Sequence, residues 1–276
     1  VGTIIINSYT EPNYYINIVS TITSATMRRS PRALYITFAA TVSLAISGTL
    51  VANPVENGDA YFARMKYEQA IATYKLDSLN SEAQWRIARA YICIADLQTI
   101  EQKKPFIDQA EKAARLCIRL NERNNNGHTF LAAALGNRAM FEGSRTKVKL
   151  CTEIKKELLR AIALNPKDDV AYSILGTFNR VVGNISWFEK ELAEVFLGGI
   201  PSGGYSDGEK VLKKAIELSP TTIRHWYELG LLYKDWGKKE EARKVLTQAL
   251  LLKVQIQSDN RRKNHSKELL LSLNEE

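Results

Sequence analysis

Residues Thr221 to Val254 read TTIRHWYELGLLYKDWGKKEEARKVLTQALLLKV, and no other stretch of the chain constrains its fold as strongly. Trp226, Leu229, Gly230 and Tyr233 recur at three- and four-residue steps, which places them on one face of a helix. Ala242, Leu246 and Ala249 repeat that periodicity immediately afterwards. Two such helices folded against each other leave an apolar stripe that the hairpin cannot bury alone. Neighbouring hairpins must stack on it, so one clear unit predicts a solenoid around it.

These spacings are those of a tetratricopeptide repeat, whose period is about 34 residues. Small residues midway along each second helix mark the other units. Ala215 precedes IELSP and Ala161 precedes IALNP; Cys117 precedes IRLNE and Asp77 precedes SLNS. Pro220 and Pro166 follow two of these helices, as expected of a residue that cannot continue the hydrogen-bond ladder. Only the step from Ala215 to Ala249 has the standard length, so the earlier units carry insertions. The first helices open at Trp85, His128, Tyr172 and Trp226. Tyr172, Leu175 and Gly176 mirror Trp226, Leu229 and Gly230. A glycine at the last position lets the partner helix approach closely. Trp85, Tyr172, Gly176, Trp226, Gly230, Tyr233 and Ala242 are therefore structural repeat positions. A weaker first unit surrounds Gly58, Tyr61, Ala70 and Tyr74. The predicted fold is all-α: a tetratricopeptide-like α-solenoid of about five helix pairs over 53–257, with one inserted amphipathic helix and a C-terminal capping helix over 258–276.

The inserted helix lies in the fourth unit. Ser186-Trp187-Phe188-Glu189 has the form of a capping box, and Ile185, Phe188, Leu192, Val195 and Phe196 follow at helical spacing. Gly198-Gly199 ends it. At the far end Ser258 or Asp259 starts a last helix. Its basic residues Arg261, Arg262, Lys263 and Lys267 suit the polar outer side of a terminal cap.

From Met27 the chain reads MRRSPRALYITFAATVSLAISGTLVANP. Three arginines precede an uncharged run from Ala33 to Ala52, which is the grammar of a signal peptide cut after Ala52 or, left uncut, of a membrane anchor. The expected location is exported or membrane-anchored, with a cytoplasmic chain as the alternative. Residues 1–26 hold no Lys or Arg and begin with Val. They read as a gene-model extension or a disordered segment, with translation starting at Met27.

Chemistry is harder to find. His128, His225 and His265 belong to different units, and no phosphate-cradling glycine loop precedes a helix. No catalytic residue, metal site or cofactor is expected. Cys93, Cys117 and Cys151 fit no metal spacing and read as small buried hydrophobes, with a Cys93–Cys117 bridge an option in an exported chain. A formal charge of +8 over 276 residues is mild. No aromatic residues interleave with the basic cluster near the C-terminus, so nucleic acid is not an expected partner.

WRIARAY (Trp85–Tyr91), EIKKELLRAIALNP (Glu153–Pro166), AYSILGTFNRVVGNISWFEKELAEVFLGGIP (Ala171–Pro201) and KAIELSP (Lys214–Pro220) resemble the regulator of microtubule dynamics family. The most specific element is the Ser-Trp-Phe-Glu-Lys helix with the Gly-x-Ile-Pro that follows. The resemblance implies a non-enzymatic helical-repeat domain, in a family associated with microtubules or attached to organelle membranes. Microtubules are a target only if the chain is cytoplasmic.

The first helices of stacked pairs line a concave groove. Counting from the aromatic anchors gives Arg86, Thr129, Asn137, Ser173, Thr177, Arg180, Tyr227 and Lys234 as groove-facing. Arg86, Asn137, Arg180, Tyr227 and Lys234 form the expected binding set, with the cations as donors to a protein or peptide of acidic character. The alternative function is lipid or apolar small-molecule binding in a cavity walled by the inserted helix 186–197, through Trp187, Phe188, Phe196 and Leu197.

Overall fold

The computed structural model describes residues 53–275, without the side chains of residues 187, 188, 192, 196 and 275. The readings made for 1–26 and 27–52 fall outside it. Among the described residues the chain is five helical hairpins, one inserted helix and one terminal helix. The hairpins are α1 (Pro54–Ala63) with α2 (Tyr67–Tyr74), α3 (Ser81–Ala95) with α4 (Ile100–Leu120), and α5 (Asn125–Arg138) with α6 (Ser144–Leu164). Next, α7 (Asp169–Asn184) pairs with α9 (Tyr205–Leu218) across the inserted α8 (Trp187–Leu197). The fifth hairpin is α10 (Ile223–Asp235) with α11 (Lys239–Leu251), and α12 (Ser258–Glu275) follows. Among the described residues no helix is long and apolar enough to cross a membrane.

Local chemistry sets the boundaries. Asn53, Asn80, Asn124 and Asp168 cap α1, α3, α5 and α7 by accepting from backbone N–H groups of the first turn. Pro166 and Pro220 stand two residues beyond the ends of α6 and α9, where the ladder has already stopped. The capping box of α8 is formed in both directions between Ser186 and Glu189. Gly198 ends that helix in the left-handed region, at φ 84°, where a side chain would be strained.

Glycines set the distance between partner helices. A Cβ at Gly176 would stand 2.3 Å from Leu212 Cγ, and one at Gly230 would stand 2.4 Å from Leu246 Cδ2. Both leucines are fully buried in those seams. Tyr233 and Ala242 are buried beside Leu246. Trp85 is buried and stacks on Phe130 with ring centroids 5.7 Å apart, whereas Trp226 is half-buried and donates its indole N–H to the Pro220 carbonyl. Tyr172 is half-buried as well.

The C-terminal segment does more than cover the last hairpin. α12 packs on α10 and α11, but the turn before it crosses to the start of the solenoid. Gln257 N–H donates to Tyr67 Oη at 3.0 Å, Arg261 to the Leu97 carbonyl at 3.3 Å, and Arg262 to Asp96 at 3.3 Å. Ile256 packs against the apolar core that runs through the first four hairpins. The concave side is thus bridged from α2–α3 to α12. Of the cluster expected to be solvated, Arg262 and Lys263 are half-buried and hydrogen-bonded, and Lys267 is exposed.

Candidate functional site

Small side chains on α5 open the concave side. Ala132, Ala133 and Gly136 line a cavity of about 330 Å³, and a Cβ at Gly136 would meet nothing within 4 Å. Ile92 of α3, Met140, Ile154 of α6, and Ile174 and Phe178 of α7 complete an apolar floor. The opposite wall is charged: Arg224 and Glu228 one turn apart on α10, Arg262 on α12, and Asp96 at the end of α3. A wider, more polar cavity of about 770 Å³ lies on the other side of Glu228 and Arg262, lined by Tyr227, His265 and the turn before α12. Tyr227 Oη and His265 Nδ1 are 2.8 Å apart there. Burial pushes the Tyr227 hydroxyl up to about 12.

Most charges around these cavities are matched. Arg262 pairs with Asp96 and with Asp259 at 3.1 Å. Arg180 pairs with Asp235 at 2.7 Å and reaches only to 4.0 Å from Glu228. Arg224 differs. It is half-buried, its Nε is shut off from water as that of Arg180 is, and its guanidinium has neither hydrogen bond nor ion pair among the described residues. Burial, and then the neighbouring Arg262 guanidinium, pull its pKa below the ordinary arginine range. Glu228 Oε2 is also closed to solvent without a hydrogen-bond partner.

The expected binding set is scattered by the structure. Asn137 and Thr177 line the cavity. Tyr227 lines the neighbouring one. Arg86 lies outside both. It is satisfied by Asp59 at 2.9 Å and Glu82 at 2.7 Å while its guanidinium covers the Trp85 ring, which corrects the expectation of a free donor. Arg180, already paired, is no free donor either. Lys234 is exposed near the end of α10 and lines neither cavity. Thr129 and Ser173 are fully buried, so their groove-facing register is corrected too. Thr129 Oγ1 is held by the Asp168 carboxylate at 2.6 Å, the same group that caps α7. The position after an anchor faces the next hairpin there, not the concavity. Arg224 was missed because Arg224 and Glu228, four residues apart, look in the sequence like a solvated ion pair on an exposed helix face.

The inserted helix borders a cleft of mixed lining, with Lys190, Glu191 and Glu194 on one side and Val182 and the turn through Ile200 to Gly203 on the other. The side chains of Trp187, Phe188 and Phe196, on which the apolar-ligand alternative relied, lie outside the described residues; Leu197 is half-buried. The three histidines remain apart. His128 contacts Glu157 at 2.5 Å and the Glu122 carbonyl at 2.8 Å, and His225 contacts Asp169 at 2.8 Å. Among the described residues no group of three or more His, Cys, Asp or Glu side chains could hold a metal ion. All three cysteines are free, and burial pushes the Cys93 and Cys117 thiols up to about 12.

A family model described as regulator of microtubule dynamics protein 1-3 matches residues 55–274. Regulator of microtubule dynamics protein 2 of Rattus norvegicus is 30% identical over 191 residues, which are 68% of this chain and 46% of the rat protein. Regulator of microtubule dynamics protein 1 of Mus musculus is 26% identical over 211 residues, 75% of this chain and 69% of the mouse protein. The chain thus spans about half the length of the protein 2 relatives it matches. Among solved structures, a thermophilic tetratricopeptide-repeat protein of Thermus thermophilus superposes with a TM-score of 0.58 at 20% identity, covering 79% of this chain and 98% of that one. The human IFIT1 dimer with m7Gppp-AAAA gives 0.55 at 18% identity, covering 87% of this chain and 51% of that one. Both are likenesses of fold.

Proposed function

Since the chain belongs to the regulator of microtubule dynamics protein 1-3 family, we propose that it works as a protein-interaction scaffold whose concave face binds a segment of a partner protein. The observation that carries this reading is the cavity itself: an apolar floor left open to solvent by Ala132, Ala133 and Gly136, facing a wall of fixed charge. An apolar centre with a polar rim is the usual anatomy of a peptide-binding groove. The relatives' name makes tubulin, or a protein bound to it, the first partner to test. Residues 27–52 support an exported or membrane-anchored chain, and a tubulin partner requires the cytoplasmic alternative.

Gly136→Trp provides the experiment. A Cβ there meets nothing within 4 Å, so the substitution directs a large side chain from open space into the cavity and removes a helix-weakening glycine. Partners captured by the full chain would be identified by mass spectrometry, purified, and titrated against wild type and Gly136→Trp; polymerised tubulin would be tested by co-sedimentation. The expected result is at least tenfold weaker binding by the variant at unchanged Tm. Equal binding would move the interaction off the concave face.

A further inference from the structure

The acidic groups along α4 and α6 are already taken by the fold. Asp108 pairs with Lys104 at 2.9 Å, and Glu111 pairs with Arg115 at 2.8 Å and Arg138 at 3.0 Å. Glu153 holds the same Arg115 at 2.9 Å, and Glu157 contacts His128 at 2.5 Å. In the flanking turns Arg160 holds Glu122 at 2.7 Å and Arg138 holds Glu142 at 3.1 Å. Glu101 stands at the far start of α4, about 16 Å along the axis from Lys112. The cations outnumber these acids. Lys112, Arg119, Lys149 and Lys156 are exposed, and none makes a hydrogen bond or ion pair among the described residues.

The ion pair between Arg115 and Glu153 joins the two helices and brings these four together. Lys112 and Arg119 lie three residues before and four after Arg115; Lys149 and Lys156 lie four before and three after Glu153. Steps of three and four share a helix face, so the pair is flanked by a free cation at both ends on both helices. Along each helix the two cations are two turns apart, about 10 Å of rise. Arg145 and Lys147, also exposed and without partners, extend the seam towards the start of α6. None of the four lines either concave cavity. The seam is a separate surface, formed by the second helices of two neighbouring hairpins.

A linear array of positive charge fits a linear anion. A lipid surface is held when apolar side chains enter it beside the cations, and no apolar side chain is exposed between these four. The exposed Leu120 and Leu159 lie one and three residues beyond Arg119 and Lys156, at one end only. A nucleic acid would be held by charge alone, since neither helix exposes an aromatic side chain for a base. An acidic stretch of polypeptide has the matching repeat. In the polyproline II conformation every third side chain returns to the same side after about 9 Å, close to the two-turn spacing of the cations. An apolar residue after the acidic run would meet the two leucines. We propose that the seam between α4 and α6 is a docking surface for an acidic, extended segment of a partner protein, with Lys112, Arg119, Lys149 and Lys156 pairing its carboxylates. This goes beyond the concave-face reading and does not rest on it. It moves the acidic partner expected at Arg86 and Arg180, whose charges are matched within the fold, to cations that the fold leaves free.

The test titrates the full chain, at low salt, with a fluorescent peptide of Glu and Gly that carries Glu at every third position and ends in Phe. The same peptide with Gln for Glu is the control. Only the Glu peptide is expected to bind, and added salt should weaken it. The double variant Lys149→Gln, Lys156→Gln should bind about tenfold more weakly at unchanged Tm. Lys210→Gln with Lys244→Gln removes the same charge from exposed, unpaired lysines of α9 and α11, and should leave the affinity within about twofold. Carbodiimide cross-linking of the bound peptide, read by mass spectrometry, should fall on Lys112, Lys149 or Lys156. If the Glu peptide fails to bind, or both double variants weaken it equally, the seam is no docking surface. If the seam variant instead loses phosphatidylserine vesicles or an oligothymidylate while keeping the peptide, the acidic-segment assignment falls. Gly136→Trp should bind the peptide as wild type does, which keeps a failure here apart from a failure of the concave-face reading. Loss of the peptide in that variant would place it in the concave cavity and overturn the seam.

Discussion

The fourth and fifth hairpins close in the same way although their connections have little in common. α10 and α11 are joined by a tight turn at Gly237, while α7 and α9 are separated by the whole of α8 and its flanking turns. Yet Gly176 meets Leu212 at 2.3 Å, counted from the Cβ it lacks, and Gly230 meets Leu246 at 2.4 Å. The seam is decided by residues on the two helices that share it. The connection needs only to return the chain, because loop-closure entropy grows slowly with length.

The most severe way to break that equivalence is to empty the seams. Leu212→Ala and Leu246→Ala should each cost about 2–5 kcal/mol, since both side chains are fully buried and the glycine opposite cannot fill the gap. Urea midpoints would show it. Losses of similar size would support equivalent seams; a small loss at Leu212 alone would mean that the inserted region lets the fourth hairpin relax. Gly176→Ala and Gly230→Ala should cost about 1–3 kcal/mol each by overpacking. Combining Gly176→Ala with Leu212→Ala should recover part of the loss, because the new methyl then has space. Additive losses in that double mutant would contradict the contact.

Two smaller tests compare the hairpins through their polar groups. Burial opposes a charge on His128, but the hydrogen bonds to Glu157 and the Glu122 carbonyl outweigh it, and the pKa lies above the ordinary value. A raised folded-state pKa stabilises the fold below the unfolded pKa, about 6.5, and that contribution fades as pH rises through the folded pKa. The stability gap between wild type and His128→Gln should therefore be largest near pH 5.5, on the order of 1 kcal/mol, and shrink towards pH 8.5. A gap that widens with pH would reverse the assigned sign. Smallest of all, Ser186→Ala removes one half of the capping box of α8 and should cost about 1 kcal/mol locally. Amide exchange should quicken in α8 while the global urea midpoint stays nearly constant. A clear drop in that midpoint would mean α8 is integral to the solenoid.

The repeat positions were legible in the sequence because each reports on its immediate neighbour. Gly230, Tyr233, Ala242 and Leu246 lie within one hairpin, and their spacing states which faces meet. The capping box at Ser186 and the stop at Gly198 are local in the same sense. The aromatic register placed Asn137 and Thr177 along the cavity. It failed at Thr129, where a carboxylate from the next hairpin claims the hydroxyl. Arg86 was misjudged for a similar reason: its partner Asp59 comes from α1, a helix the repeat pattern barely marks.

Helical period, small-for-large pairing and capping are properties of short stretches, so the chain's own order of residues dictated an all-helical stack and the seams within each hairpin. The bridge from Gln257 to Tyr67, and the ion pairs of Arg180 with Asp235 and of Arg262 with Asp96, join groups far apart along the polypeptide. Whether a charge finds a partner depends on every surface that converges on it. Only the assembled solenoid, with its C-terminal segment turned back to α2 and the end of α3, could decide that.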